Sequence, residues 1–156
     1  MLGHCLDPNE SVRKAAHHLV GEHVFDGLGF VKELVADTML SHMRDILSAR
    51  GETQVTWDRM ERCMVHLEGL LRSLTKRQRQ EWASVLVRLL HSLQSAAAPL
   101  RATRQKLMVH KLKLLWCADG DPKRTYAYEE LQLQACSKSP NFEDVRQDLK
   151  LLLVCC

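Results

Sequence analysis

The chain has 156 residues, of which 46% are hydrophobic, 26% charged and 5% aromatic, and its formal net charge is +3. These values exclude a disordered tail, a collagen-like repeat and a low-complexity linker, and the length suits one domain. With seven Gly and four Pro against abundant Leu, Val, Ala, Arg and Gln, the composition disfavours an all-β chain and a nucleotide-cradling α/β chain.

The first predicted helix follows the turn Asp7-Pro8-Asn9-Glu10. We expect Asp7 to cap this helix, Pro8 to occupy its first position and Glu10 to complete a capping box. An apolar stripe from Val12 to Val24 follows at helical spacing and ends at Gly27-Leu28-Gly29. The next helix is predicted from about Phe30 to Ala49.

The clearest helical pattern lies between Trp57 and Leu74, where apolar residues recur on one face. Thr75 and Gln78 then form a second capping-box pattern, which precedes an apolar stripe from Trp82 to Leu93. Because the connection between these two helices is so short, we expect an antiparallel hairpin.

A fifth helix is predicted over about residues 99–117, and Asp119-Gly120-Asp121-Pro122 forms a strong turn after it. Two shorter helices are predicted over about 126–136 and from Ser139-Pro140 onward. The sequence therefore predicts an all-α fold of about seven helices in antiparallel hairpins. Because the last apolar run continues to Cys156 without a stop signal, we expect residues 1–156 to be one helical domain cut from a longer helical array.

The segment from Leu6 to Ala16 resembles the second half of a HEAT repeat, in which a turn carrying Asp and Pro precedes a helix that opens with Val-Arg. The residues that carry this resemblance are Asp7, Pro8, Val12 and Arg13. The resemblance covers about residues 1–25 and implies a stacked-helix scaffold that binds other macromolecules, with Arg13 reaching toward the turn of an adjacent repeat. We accordingly expect a HEAT-like start over 1–49, central basic hairpins over 56–118 and short C-terminal helices over 125–156, as an irregular HEAT-like α-solenoid or a terminal helical domain.

Charge is concentrated in the middle of the chain. Residues 1–71 hold 7 basic and 11 acidic residues, residues 72–118 hold 10 basic residues and Glu81, and residues 119–156 hold 5 basic and 7 acidic residues. Such a segment is typical of a solvated helix face, an acidic-protein contact or a phosphate contact. We expect partner contacts at Arg77, Arg79, Arg101, Arg104, Lys111 and Lys113.

Two function classes follow from this charge pattern. The first is a non-catalytic scaffold or adaptor that binds a protein with an acidic surface, alone or as part of a larger complex. The second is a nucleic-acid-associated HEAT-type subunit of a chromosome-organising complex. Since no aromatic residue interleaves with the cations from Arg101 to Lys113, the second class would contact the phosphate backbone without reading sequence.

No catalytic, metal or cofactor motif accompanies the helices. The chain has no GxSxG, no phosphate-binding Gly loop and no activated Cys motif, so we expect no enzyme activity and no cofactor. The cluster His17, His18, Glu22 and His23 matches no zinc spacing, and surface histidines explain it. The six cysteines are irregularly spaced and no secretory signal or membrane span is visible, so we expect reduced thiols and an intracellular protein of the cytoplasm or nucleus.

Overall fold

The computed structural model describes residues 4, 7–20, 29–49 and 54–154, which contain helices and no strand. The α-helices are α1 (Glu10–Val20), α2 (Gly29–Ser48), α3 (Gln54–Gly69), α4 (Lys76–Ser92), α5 (Ala98–Ala118), α6 (Pro122–Thr125), α7 (Ala127–Lys138) and α8 (Arg146–Val154). Short 3₁₀ segments cover Leu71–Ser73, Leu93–Ser95 and Pro140–Val145. The prediction of an all-α fold with about seven helices is confirmed.

Three elements differ from the sequence prediction. The third helix ends at Gly69, five residues before Leu74, because the chain tightens there into the 3₁₀ segment Leu71–Ser73. The turn after α5 contains the one-turn helix α6, which Asp121 caps by accepting a hydrogen bond from the Arg124 N–H at 3.3 Å. The last predicted helix begins as the 3₁₀ segment Pro140–Val145, because Phe142 has a non-helical backbone with φ −115°.

The start of α1 corrects the predicted cap. Asn9 Oδ1 accepts hydrogen bonds from the N–H groups of Ser11 at 2.9 Å and Val12 at 3.4 Å, so Asn9 caps the helix. Asp7 Oδ1 instead accepts from the Asn9 N–H at 2.8 Å. The prediction of Asp7 as the cap and Pro8 as the first helical residue is wrong, because this local turn moves the helix start to Glu10.

Arg13 contacts its own turn. Its Nη1 donates to the carbonyl oxygens of Asp7 at 2.9 Å and Pro8 at 3.1 Å. The side chain therefore closes the turn that precedes α1, while Val12 is exposed on the same helix. The HEAT resemblance of this segment stays a prediction.

The chain divides into two compact units, residues 1–78 and 79–156. The boundary lies inside α4 and therefore inside the stretch 56–118 that the sequence groups as central hairpins. In the first unit α2 packs against α3, and both helices supply a methionine-rich core. The buried side chains of these two helices include Val35, Met39, Leu40, Met43, Trp57, Met60, Cys63, Met64 and Leu67.

The capping box predicted at Thr75 and Gln78 is confirmed. The Gln78 N–H donates to Thr75 Oγ1 at 3.2 Å, and the Thr75 N–H donates to Gln78 Oε1 at 3.0 Å. Gln78 is fully buried, and its Nε2 donates to the Glu33 carbonyl at 3.1 Å and to Asp37 Oδ1 at 2.9 Å. One amide side chain thus closes the first turn of α4 and holds that turn on α2.

The second unit packs α5 against the segment Pro140–Val145 and against α8, and α7 also packs on α8. Its core is built from aliphatic residues of the longer helices together with a few large aromatic side chains. The largest of its fully buried side chains include Trp82, Leu86, Leu90, Trp116, Tyr126 and Phe142. Trp57, Trp82 and Trp116 are all buried and belong to the cores of their units.

Within the described part of the chain, no helix combines the length and apolarity needed to cross a bilayer.

Replacing Gln78 with Ala removes the side-chain half of the capping box, which accepts from the Thr75 N–H, and both hydrogen bonds of Nε2, to the Glu33 carbonyl and to Asp37 Oδ1. We expect a loss of about 1–3 kcal/mol in the free energy of unfolding, because a fully buried side chain loses three hydrogen bonds together. Urea denaturation followed by circular dichroism measures this loss. The matched control is Gln80→Ala on the exposed side of α4, which should change the free energy by less than about 0.5 kcal/mol.

Candidate functional site

The six predicted contact cations are divided between the two units and between buried and exposed positions. Arg77 belongs to the first unit and the other five belong to the second. Arg104 and Lys111 are each only 8% exposed, so these two residues of α5 lie mostly inside the second unit. Side chains that are covered to this extent pack within the unit, and a partner at the surface has little of them to contact.

Arg77 and Arg79 are both held by carboxylates. Arg77 Nη2 lies 2.8 Å from Asp37 Oδ1 at the surface of the first unit, where such a pair contributes about 0–1 kcal/mol. The hydrogen bond from Gln78 is the main cause that holds the pKa of Asp37 below its ordinary value, and Arg77 adds to it. Arg79 Nε lies 3.5 Å from Asp119 Oδ2 inside the second unit, with side chains 19% and 8% exposed.

Asp119 organises a polar corner where α5 ends. Its Oδ1 accepts hydrogen bonds from the Asp121 N–H and the Thr125 hydroxyl, both at 3.2 Å. Burial raises the pKa of Asp119, but these hydrogen bonds and the charge of Arg79 outweigh burial and hold the pKa below its ordinary value. Arg79 therefore stabilises this corner through its ion pair with Asp119.

An aromatic stack completes the corner. The rings of Trp116 and Tyr126 lie 4.3 Å apart at an interplanar angle of 21°. Both residues are buried, and burial is the main cause that raises the pKa of the Tyr126 hydroxyl. The end of α5 is thus fixed by one carboxylate and one ring pair.

The exposed side of α5 carries two lysines and a histidine in one row. Residues 99, 103, 106, 110, 113 and 117 are separated by steps of four and three, which places them on one helix face, and all six are exposed. The middle of this row is Lys106, His110 and Lys113, which we call the α5 basic face. Among the described residues, no ion pair involves Lys106 or Lys113.

A cleft of about 200 Å³ lies beside the α5 basic face. Its α5 wall consists of Lys106, Val109, His110 and Lys113, and its α8 wall consists of Asp148 and Leu151. Val109 is buried, whereas Leu151 is 48% exposed. The cleft is therefore lined by two apolar side chains, two lysines, one histidine and one carboxylate.

Sequence reasoning identified part of this site. Lys113 was among the predicted contacts and lies on the α5 basic face, and Arg101 is half-buried on the same helix. Lys106 and His110 were missed. Their i, i+4 and i+7 spacing with Lys113, away from the buried row Met108, Leu112 and Leu115, was the signal that could have found them.

Two of the described cysteines, Cys63 and Cys136, are buried, and their burial favours a structural role. Burial raises the pKa of the Cys63 thiol to about 12 and that of the Cys136 thiol to about 11. Cys136 Sγ lies 3.5 Å from His91 Nε2 while only 1% of the residue is exposed. Neutral, buried thiols are poor nucleophiles. Cys117 is free and exposed.

The histidine cluster is only partly visible. His18 is an exposed residue of α1, whereas Glu22 and His23 lie outside the described residues. Over the residues that the structure does describe, no group of three or more His, Cys, Asp or Glu side chains is arranged to hold a metal ion.

No protein-family model, curated protein or solved structure matches this chain.

The polar corner predicts a stability loss in acid. Because the pKa of Asp119 is lowered in the folded protein, its contribution is fully present above the unfolded value near pH 4 and is lost as the pH falls below it. Asp119→Asn should lower the free energy of unfolding by about 1–3 kcal/mol at pH 7, and this difference from the wild type should shrink toward pH 2. Urea denaturation at several pH values measures it.

The control is Asp144→Asn, which removes an exposed carboxylate of the same unit and should leave the free energy nearly unchanged at every pH. A difference between wild type and Asp119→Asn that stays constant from pH 7 to pH 2 would contradict the role assigned to the carboxylate charge.

Proposed function

We propose that this chain is a non-catalytic protein–protein interaction module, a scaffold or adaptor of irregular HEAT-like type, that binds a partner through acidic side chains of that partner. The observation that carries the proposal is the α5 basic face, an exposed row of Lys106, His110 and Lys113 beside a cleft. No carboxylate occurs in the sequence between Glu81 and Asp119, so α5 contains no acidic residue.

The expected contribution of this face is orientation and encounter rate. A single exposed ion pair contributes about 0.2–1 kcal/mol, so two lysines alone give weak affinity. Aligned surface charges nevertheless accelerate association and suppress wrongly oriented encounters. Affinity must therefore come mainly from apolar contact next to the charges, and the cleft between α5 and α8 offers it.

The α5 face fits a protein partner better than a nucleic acid. Arg104 and Lys111 are buried, which leaves a short row of exposed cations on α5. Asp148 on the facing wall of the cleft repels a phosphate backbone, whereas a peptide can place a neutral residue there. A chromosome-associated subunit remains the competing class, and its mark is salt-dependent binding to a random duplex.

The test reverses charge on the proposed face. In capture experiments from cell lysate, Lys106→Glu/Lys113→Glu should lose protein partners that the wild type retains, because two attractive contacts become repulsive. Both side chains are exposed and lie in no ion pair within the described residues, so the variant should unfold at the same urea concentration as the wild type.

The matched control is Lys123→Glu/Lys138→Glu, which makes the same charge change at exposed positions of α6 and α7. The control should retain the partners. Nuclease treatment should leave the captured proteins unchanged. Equal loss in both double variants would assign binding to net charge, and loss after nuclease treatment would assign it to nucleic acid; either result overturns the proposal.

A further inference from the structure

The cleft beside the α5 basic face has the size of a side-chain pocket. Its volume of about 200 Å³ is below the roughly 300–1,000 Å³ typical of sites for small molecules and cofactors. It is larger than the roughly 30 Å³ that one water occupies in the liquid. A single large aliphatic or aromatic side chain, presented by a longer segment, suits this space.

The two walls of the cleft differ in chemistry. On α5, Lys106 and Lys113 are seven residues apart, which separates them by about 10 Å along the helix axis at about 1.5 Å per residue. On α8, Leu151 is followed three residues later by Val154, which is 77% exposed. These apolar residues share a helix face with Asp148 by their spacing of three. The α5 wall therefore carries two lysines, whereas the α8 wall combines an exposed leucine with one carboxylate.

We propose that the cleft between α5 and α8 binds an amphipathic acidic helix of a partner protein, with one apolar anchor residue between two acidic residues. The inference rests on the proposed function and specifies the chemistry of the partner. A helix lying along α5 would place acidic residues at its first and eighth positions opposite Lys106 and Lys113. A leucine at its fourth position would share their face and enter the cleft against Val109 and Leu151.

Asp148 adds a restriction on the partner. It is the one carboxylate among the residues that line this cleft, and it is exposed. A third acidic residue near it would be repelled, so the side of the bound helix toward α8 should be neutral or basic. Removing the charge of Asp148 should therefore strengthen the binding of an acidic helix, while the loss of either lysine charge should weaken it.

The experiment measures fluorescence anisotropy of labelled peptides with the full chain. The parent probe is an alanine-rich helical peptide with glutamates at its first and eighth positions and a leucine at its fourth. One control probe, the serine probe, carries serine in place of that leucine. A second, the shifted probe, keeps the composition but moves the second glutamate to the sixth position, off the shared face. We expect each control probe to bind about fivefold to tenfold more weakly than the parent probe.

Protein variants test the two walls separately. Lys106→Glu/Lys113→Glu should weaken binding of the parent probe at least about tenfold, and Leu151→Ser should weaken it about fivefold and abolish its advantage over the serine probe. Asp148→Asn should strengthen binding of the parent probe about twofold to fivefold. Lys123→Glu/Lys138→Glu should leave its affinity unchanged. Urea midpoints equal to that of the wild type establish that each variant is folded.

The outcomes separate this inference from the proposed function. Equal binding of the parent and shifted probes, with loss in the double lysine variant, would overturn the anchored-helix inference while leaving an acidic-partner module intact. Absence of binding by every acidic probe would overturn the inference. If a random DNA duplex or a phosphatidylserine-containing vesicle binds tightly and shows the same dependence on Lys106 and Lys113, the occupant is a phosphate surface and the inference is overturned.

Discussion

The carboxylate of Asp119 determines how the longest helix of the described chain ends. It accepts hydrogen bonds from the Asp121 N–H and the Thr125 hydroxyl and pairs with Arg79, and the adjoining rings of Trp116 and Tyr126 stack. These contacts hold the C-terminal turn of α5, and the buried row Met108, Leu112 and Leu115 holds the rest of the helix. Because rotation decides which residues of a helix are exposed, the position of the α5 basic face depends on this corner and on that row.

Fixing α5 also divides its cations into two groups. Arg104 and Lys111 lie on the side that the second unit buries, whereas Lys106 and Lys113 lie on the side that solvent reaches. Burial of the first pair favours a structural role, since long basic side chains cover apolar surface with their aliphatic stems. The second pair keeps its charge available to a partner. The basic residues of segment 72–118 therefore have two roles: the buried ones on α5 stabilise the fold, and the exposed ones are available at the surface.

Local patterns predicted the elements that depend on nearby residues. The Thr75–Gln78 capping box and the helix over 99–117 needed only sequence spacing, because the groups that stabilise them lie within a few residues of one another. The cap at Asn9 was missed because Asp7 and Asn9 are both good caps, and only the turn geometry selects between them. The 3₁₀ segment Pro140–Val145 has the composition of an ordinary helix start, so spacing could not distinguish it.

The sequence by itself determined the all-α class, most helix limits and the concentration of positive charge, because these follow from composition and helical periodicity. Tertiary structure alone decided that Arg79 pairs with Asp119, that Gln78 is buried on α2, and that Lys106 and His110 line a cleft with Leu151. These contacts join residues about 40 positions apart in the chain. Their formation depends on packing between helices, which spacing within one helix does not encode.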